Sequence, residues 1–296
     1  MKLSGCGTAL ITPFRLDGSV DEPALRANVE AQIVAGIELL VPCGSTGEAS
    51  TLTEPEWLRV IEITCEVAAG RVAVFAGCTH NATVEAVSRA KRLSQVPGLT
   101  GLLTANPYYN RPGQEGQFRH FRAIAGATQL PVMLYNIPGR TGANLEPATV
   151  LRLAEIPNIV AIKESCGNIV QITELLTQAP PTFQVFAGDD ALALPTIVLG
   201  GAGLISVASN VIPKQMASMV RAALANDWEQ ARSINRCFFA LMQAHFWEPN
   251  PAPVKAVHAL LGRGEDTMRL PMIPVSEGTR QRLESLLVEH GLLNAR

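Results

Sequence analysis

The chain carries five lysines, Lys2, Lys91, Lys163, Lys214 and Lys255, and one of them stands apart. Lys2 is terminal, Lys91 belongs to a basic helical face, and Lys214 and Lys255 follow prolines at helix starts. Only Lys163 falls inside an apolar, strand-like run, Asn158-Ile-Val-Ala-Ile-Lys-Glu-Ser165. Burying an ammonium is costly and lowers its pKa, and the neutral amine is the form that attacks a carbonyl. The chemistry indicated is imine (Schiff base) formation. The competing reading is a structural lysine paired with Glu164 or another carboxylate. There are only three tyrosines, Tyr108, Tyr109 and Tyr135, and all fall at the ends of two predicted strands. Phenols placed there can relay protons to a developing carbinolamine. The alternative for each is packing with a satisfied hydroxyl.

Two further segments offer groups for an anion. In Gly44-Ser45-Thr46-Gly47-Glu48, two glycines allow a tight turn that presents backbone amides and hydroxyls, a cradle suited to a carboxylate. It lacks the Lys-Ser/Thr ending of a nucleotide-binding loop. Taken alone it is also an ordinary strand-to-helix turn. Arg140, in Asn136-Ile-Pro-Gly-Arg-Thr-Gly142, is shaped to clamp a carboxylate bidentately, the alternative being a solvated loop arginine. Asp189 and Asp190 are adjacent carboxylates without a partner cluster, and the five histidines lie far apart, so no metal site is expected.

These residues need elements to hold them. Short apolar or β-branched runs recur along the chain with helical patterns between them. The predicted strands are Thr8–Thr12, Leu39–Cys43, Val72–Ala76, Gly101–Thr104, Pro131–Tyr135, Ile159–Lys163, Gln184–Ala187 and Leu204–Val207. Eight alternating units in 296 residues predict a (β/α)₈ TIM barrel, which typically takes about 250 residues. Helix starts are well marked: Thr53-Glu54-Pro55-Glu56 has the form of a capping box, and Asp21-Glu22-Pro23 repeats the acidic-then-Pro pattern. Val84, Val87 and Leu93 are expected on one side of a helix opened near Asn81. Residues 1–225 are assigned to the barrel. Residues 226–296, broken by a Pro-rich stretch at Pro249–Pro253, are assigned to a C-terminal helical extension that is not an independent domain. In such a barrel the chemistry sits at the C-terminal ends of the strands, where Lys163, the tyrosines and both loops fall.

Composition narrows the functions. Hydrophobic residues make up 47% and charged residues 17%, which suits strands buried on both faces. The net charge of −2 provides no footprint for nucleic acid or an anionic membrane. No apolar run approaches the roughly 20 residues of a membrane span. Met1–Gly7 is too short and weakly apolar for a signal peptide, and the six cysteines show no paired spacing. A cytoplasmic location is expected.

Taken together, the motifs resemble the dihydrodipicolinate synthase and N-acetylneuraminate lyase superfamily over essentially the whole chain. They are GSTGE (44–48), NPYYNRP (106–112), YNIPGRTG (135–142), IKES (162–165), FAGDD (186–190), GLISVASN (203–210) and NPAPVK (250–255). The resemblance implies that Lys163 forms an imine with pyruvate and that Tyr135 shuttles protons at the imine carbon. It further implies a hydroxyl relay of Ser45, Tyr135 and Tyr109, the last reaching in from a neighbouring subunit of a homotetramer built as a dimer of dimers. Thr46 would hold the pyruvate carboxylate and Arg140 that of a second substrate, aspartate semialdehyde. Gly188 and Ile205 would contribute backbone groups. No cofactor is implied. The expected activity is the condensation that feeds the diaminopimelate route to lysine.

Ser45 departs from the commoner Thr of the synthases but keeps the hydroxyl. The GRTG loop and the Tyr108-Tyr109 pair favour a synthase over the alternative, an aldolase for a 2-keto-3-deoxy sugar acid or N-acetylneuraminate. A non-catalytic small-molecule-binding barrel is disfavoured by Lys163 and Tyr135 together. In regulated relatives lysine binds near segments matching Ser50, Asn81, Glu85 and Tyr108. Here Glu54 and Trp57 stand where histidines are usual; Trp57 would alter the cleft, while Glu54 could attract the lysine ammonium or instead serve the first turn of its helix, and feedback inhibition is expected to be weak or absent.

Overall fold

The computed structural model describes residues 3–294. The apolar runs form eight parallel strands: β1 (Gly5–Ala9), β2 (Leu39–Val41), β3 (Ala73–Gly77), β4 (Gly101–Ala105), β5 (Val132–Asn136), β6 (Ile159–Glu164), β7 (Gln184–Ala187) and β8 (Gly203–Ser206). Each pairs with the next, and β8 returns to β1, closing the predicted (β/α)₈ barrel. Alternation along each strand sorts side chains between two cores. Leu39, Val41, Phe75, Leu103, Met133, Tyr135, Ala161, Phe186 and Ile205 fill the barrel interior. Leu40, Val74, Leu102, Leu134, Ile162 and Val185 face the surrounding helices.

The first strand begins three residues before the predicted Thr8–Thr12. Gly5 and Gly7 give no apolar signal, yet the barrel requires at least the second: a Cβ on Gly7 would lie 2.7 Å from Ile205 and 2.9 Å from Leu39. Leu10 and Ile11 remain buried after leaving the sheet, because their amides donate to the Val41 carbonyl and to Asn210 Oδ1 at 3.0 and 3.2 Å. The helix Thr83–Leu93 buries Ala86, Ala90 and Leu93, while Val84, expected on that face, is exposed. Here the apolar face is drawn by small residues that let the helix approach the sheet. The helix Glu54–Ala68 starts as expected: Glu56 accepts from the Thr53 amide at 2.9 Å.

After the helix Pro213–Leu224 come three more, Trp228–Ala244, Ala252–Leu260 and Glu277–Glu289. Their buried Leu241, Met242, Val254, Val257, Leu283 and Leu287 join the same outer core as the barrel helices. Arg269 adds polar ties, donating to the Gly18 carbonyl at 2.7 Å and the Thr51 carbonyl at 2.9 Å, and pairing with Glu56 at 2.6 Å. That arginine holds the Glu56 carboxyl at about 2, well below the ordinary carboxylate range. No helix among the described residues is long and apolar enough to cross a membrane.

Candidate active site

Lys163 is the fifth residue of β6 and faces the barrel interior, 4% exposed. Its register partners are Tyr135 on β5 and Phe186 on β7. The ammonium nitrogen lies 4.4 Å from the centre of the Tyr135 ring. Among the described residues no carboxylate lies within ion-pair distance of it. The reading of Lys163 as one half of a structural pair with Glu164 therefore fails on geometry, since the next residue along a strand points to the opposite face. Glu164 is buried behind the barrel wall. It accepts from both Asn136 Nδ2 (3.1 Å) and the Cys166 amide (2.8 Å), and burial pushes its carboxyl above the ordinary range. Asn136 in turn ties β5 to Asn144 and Leu145, so this polar layer fixes the ends of β5 and β6 that carry Tyr135 and Lys163.

Gly188 lies beside the lysine. A Cβ there would come 1.8 Å from Ser165 Oγ and 3.0 Å from Lys163 Cε, so no larger residue fits. Ile205 is fully buried in the interior core with Tyr135 and Phe186. Tyr135 also lines a cleft of 390 Å³, whose walls include Ser45, Ser50, His80, Arg89, Tyr108, Ile137 and Arg140. The structure thus brings Ser45, Tyr135, Arg140, Ser50 and Tyr108 to one cleft, and Lys163 meets it through Tyr135, while Thr46, Gly188 and Ile205 are not among its walls. Tyr109 does not join them: it is 88% exposed, with a φ of 74° that turns it away from its own barrel. Asn81 and Glu85 lie on the rim, where the Asn81 carbonyl accepts from Asn110 Nδ2 at 3.0 Å and Glu85 occupies the exposed first turn of its helix.

The GSTGE loop differs from the sequence expectation in where its strain lies. Positive φ falls on Cys43 (56°) and Glu48 (52°), not on Gly44 or Gly47. Gly47 is needed for closeness instead, since a Cβ would stand 3.0 Å from the Cys43 amide nitrogen and 3.1 Å from the Leu10 carbonyl. Glu48 is buried and ion-paired with Lys255, whose ammonium also donates to the Thr267 carbonyl at 2.9 Å. Burial pulls the Lys255 pKa down, and the Glu48 carboxylate opposes that pull. Thr46, 3% exposed, accepts a bond from Asn250 Nδ2 at 2.9 Å. The Asn250 carbonyl accepts from an Arg140 terminal nitrogen at 2.8 Å.

Sequence reasoning missed Asn250 and the burial of Lys255. Both lie in the NPAPVK motif, and their partners Thr46 and Glu48 are some two hundred positions away in the chain, so no local signal marks them. Among the described residues no group of three or more His, Cys, Asp or Glu side chains could hold a metal ion. Three histidines are instead buried and held neutral: burial pushes His120 and His258 down to about 4 and His245 to about 3.

Fold and site together define a (β/α)₈-barrel protein with a lysine buried beside a phenol at the barrel mouth, an arrangement suited to an amine meeting a carbonyl. The model of the dihydrodipicolinate synthetase family matches residues 2–290, and the chain belongs to that family. It is 63% identical over 294 residues to the 4-hydroxy-tetrahydrodipicolinate synthase of Acidobacterium capsulatum, covering 99% of this chain and 97% of the relative. It is similar in structure to the chloride-inhibited dihydrodipicolinate synthase of Acinetobacter baumannii complexed with pyruvate. That match has a TM-score of 0.96 and 40% identity, and covers 99% of this chain and 100% of the other. The lysine-bound enzyme of Cyanidioschyzon merolae gives a TM-score of 0.95 at 39% identity, covering 98% and 99%.

Proposed function

We propose that this chain catalyses 4-hydroxy-tetrahydrodipicolinate synthesis, condensing pyruvate with L-aspartate 4-semialdehyde on the diaminopimelate route to lysine. The observation that carries the reading is Lys163, buried in register with Tyr135, which lines a cleft together with Arg140. The Lys163 nitrogen attacks the pyruvate ketone, and water leaves as the imine forms. Tyr135 supplies a proton to the departing carbinolamine hydroxyl and accepts one from the nitrogen, and Ser45 extends the hydroxyl path. Thr46 and adjacent amides hold the pyruvate carboxylate. Gly188 and Ile205 present backbone groups near the imine, and Gly188 does so without a side chain. Loss of a proton from the pyruvate methyl gives an enamine, which adds to the semialdehyde carbonyl while Arg140 holds the second carboxylate. A relative of 63% identity named as a synthase gives no support to the sugar-acid aldolase alternative. The division into a barrel of residues 1–225 and an extension of 226–296 belongs to this reading. It is supported by the helix end at Leu224 and by the core that the later helices share with the barrel.

The test of substrate choice is Arg140→Ala. Loss of a charge-assisted pair costs about 1.5–3 kcal/mol, so kcat/KM for aspartate semialdehyde should fall roughly ten- to a hundredfold. Imine formation with pyruvate alone should change little. Equal damage to both steps would reduce Arg140 to a structural role.

The exposed Tyr109 supports a homotetramer, a dimer of dimers in which this phenol completes a neighbour's relay. Two inactive variants, Tyr109→Phe and Lys163→Ala, should then recover part of the activity when their subunits are mixed and reassembled. A fully active monomer in sedimentation would contradict it.

Feedback by lysine should be weak. Glu54 is ion-paired with Arg92, so it is not a free carboxylate for a ligand ammonium. Trp57 is buried with its indole donating to the Gly77 carbonyl at 3.0 Å, and it carries the cationic Arg89 over its ring at 5.4 Å. A cation thus lines the same cleft as Ser50 and Tyr108, the reverse of what a lysine ammonium requires. Titration of activity with L-lysine at subsaturating pyruvate should show little inhibition below millimolar concentrations. Strong submillimolar inhibition would show that Ser50, Asn81, Glu85 and Tyr108 suffice for binding.

A further inference from the structure

We infer that Asn250 is a positioning residue that sets the polarity of the pyruvate-carboxylate site and ties it to the second-substrate arginine. The inference rests on the roles proposed for Thr46 and Arg140. Asn250 lies in the Pro-rich turn of the C-terminal extension, outside the barrel, and is 5% exposed. Its side-chain amide donates to Thr46 Oγ1 at 2.9 Å, and its backbone carbonyl accepts from Arg140 at 2.8 Å. One residue therefore holds the two side chains assigned to the two substrate carboxylates.

The direction of the first bond has a chemical consequence. A threonine hydroxyl has one hydrogen and can accept through its lone pairs. With Asn250 donating to it, the oxygen accepts, and its own hydrogen is free to be donated elsewhere. A hydroxyl polarised in this way is the stronger donor to an anion. The second bond engages one terminal nitrogen of Arg140 and leaves the remaining guanidinium donors for a carboxylate in the cleft that Arg140 lines. The two ties are separable, because one uses the asparagine side chain and the other its backbone. The Asn250 Oδ1 atom is buried with no hydrogen-bond partner among the described residues, so the amide is held by its Thr46 contact and not by a wider network.

The consequence is a split between the substrates. Asn250→Ala deletes the bond to Thr46 and keeps the carbonyl that engages Arg140. The KM for pyruvate should rise roughly tenfold, the size expected for a weakened hydrogen bond to a charged group. The KM for aspartate semialdehyde should change less than about twofold. Asn250→Asp, which can only accept from Thr46, should raise the pyruvate KM further, because it takes the hydrogen meant for the substrate. Because both act through one hydroxyl, Asn250→Ala should add little in a Thr46→Val background.

Steady-state kinetics on Asn250→Ala, Asn250→Asp, Thr46→Val and the Ala/Val double variant test this, with thermal melts and borohydride trapping run alongside. Asn250→Ser, too short to span to Thr46, replaces the Ala variant if that protein does not fold. A pyruvate-specific rise in KM, absent in the Thr46→Val background, supports the inference. Parallel rises in both KM values, or penalties that multiply in the double variant, would overturn it, as would a lowered melting temperature with unchanged KM. If the wild-type protein itself gives no trapped pyruvate adduct, the proposed reaction fails, and that outcome is read separately from the variant comparison.

Discussion

Replacing Lys163 with Ala is expected to remove turnover altogether, a loss on the order of 10⁴-fold or more, because the covalent route disappears with the amine. The companion result is chemical. Borohydride added to the wild-type protein with pyruvate should reduce an imine to a stable secondary amine, and peptide mapping should place the added mass on Lys163. The structure sharpens this expectation. Lys255 is also buried, but its ammonium is spent on Glu48 and the Thr267 carbonyl, and the Phe14 ring lies 4.0 Å away. Lys163 has the Tyr135 ring for company and, among the described residues, no carboxylate in ion-pair reach. A pyruvate adduct on Lys255 or Lys214, or none, would end the Schiff-base mechanism.

Tyr135→Phe is expected to follow with a loss of roughly 10²–10⁴-fold in kcat, the range for deleting a positioned proton-transfer group. The ring itself is part of the barrel's interior core and stays in place as Phe, so the melting temperature should be nearly unchanged. The diagnostic measurement is the rate of adduct formation with pyruvate in a single-turnover experiment. It should fall in proportion to kcat, since the carbinolamine hydroxyl must gain a proton and its nitrogen lose one for water to leave. A variant that forms the imine at the wild-type rate would remove Tyr135 from that step.

How much of this was legible in the sequence depended on how local the signal was. Strands such as Gln184–Ala187 announce themselves through residues that are apolar on both faces, and the structure returns the same bounds. The first strand is built on Gly5 and Gly7, which are present for close packing and advertise nothing, so its predicted position slid onto the next apolar stretch. Lys163 was readable because a charge in an apolar strand violates the local pattern. Lys255 was not, because a lysine after a proline at a helix start breaks no local rule. Its burial arises from Glu48, more than two hundred positions earlier in the chain, and pairings at such separation leave no trace in local periodicity. Asn250 was hidden for the same reason. Its partners Thr46 and Arg140 belong to loops after the second and fifth strands, while it sits in the extension.

The buried pair of Glu48 and Lys255 also bears on how the protein is made. Synthesis runs from the N-terminus at about 5–20 residues per second, so all eight strands leave the ribosome before Lys255 does. Until then the Glu48 carboxylate has no counter-charge and cannot be sealed beneath the loop that carries Ser45 and Thr46, and neither Thr46 nor Arg140 has Asn250 to hold it. A nascent barrel can therefore close its sheet while the loop after its second strand still lacks the contacts that residues 250–267 supply.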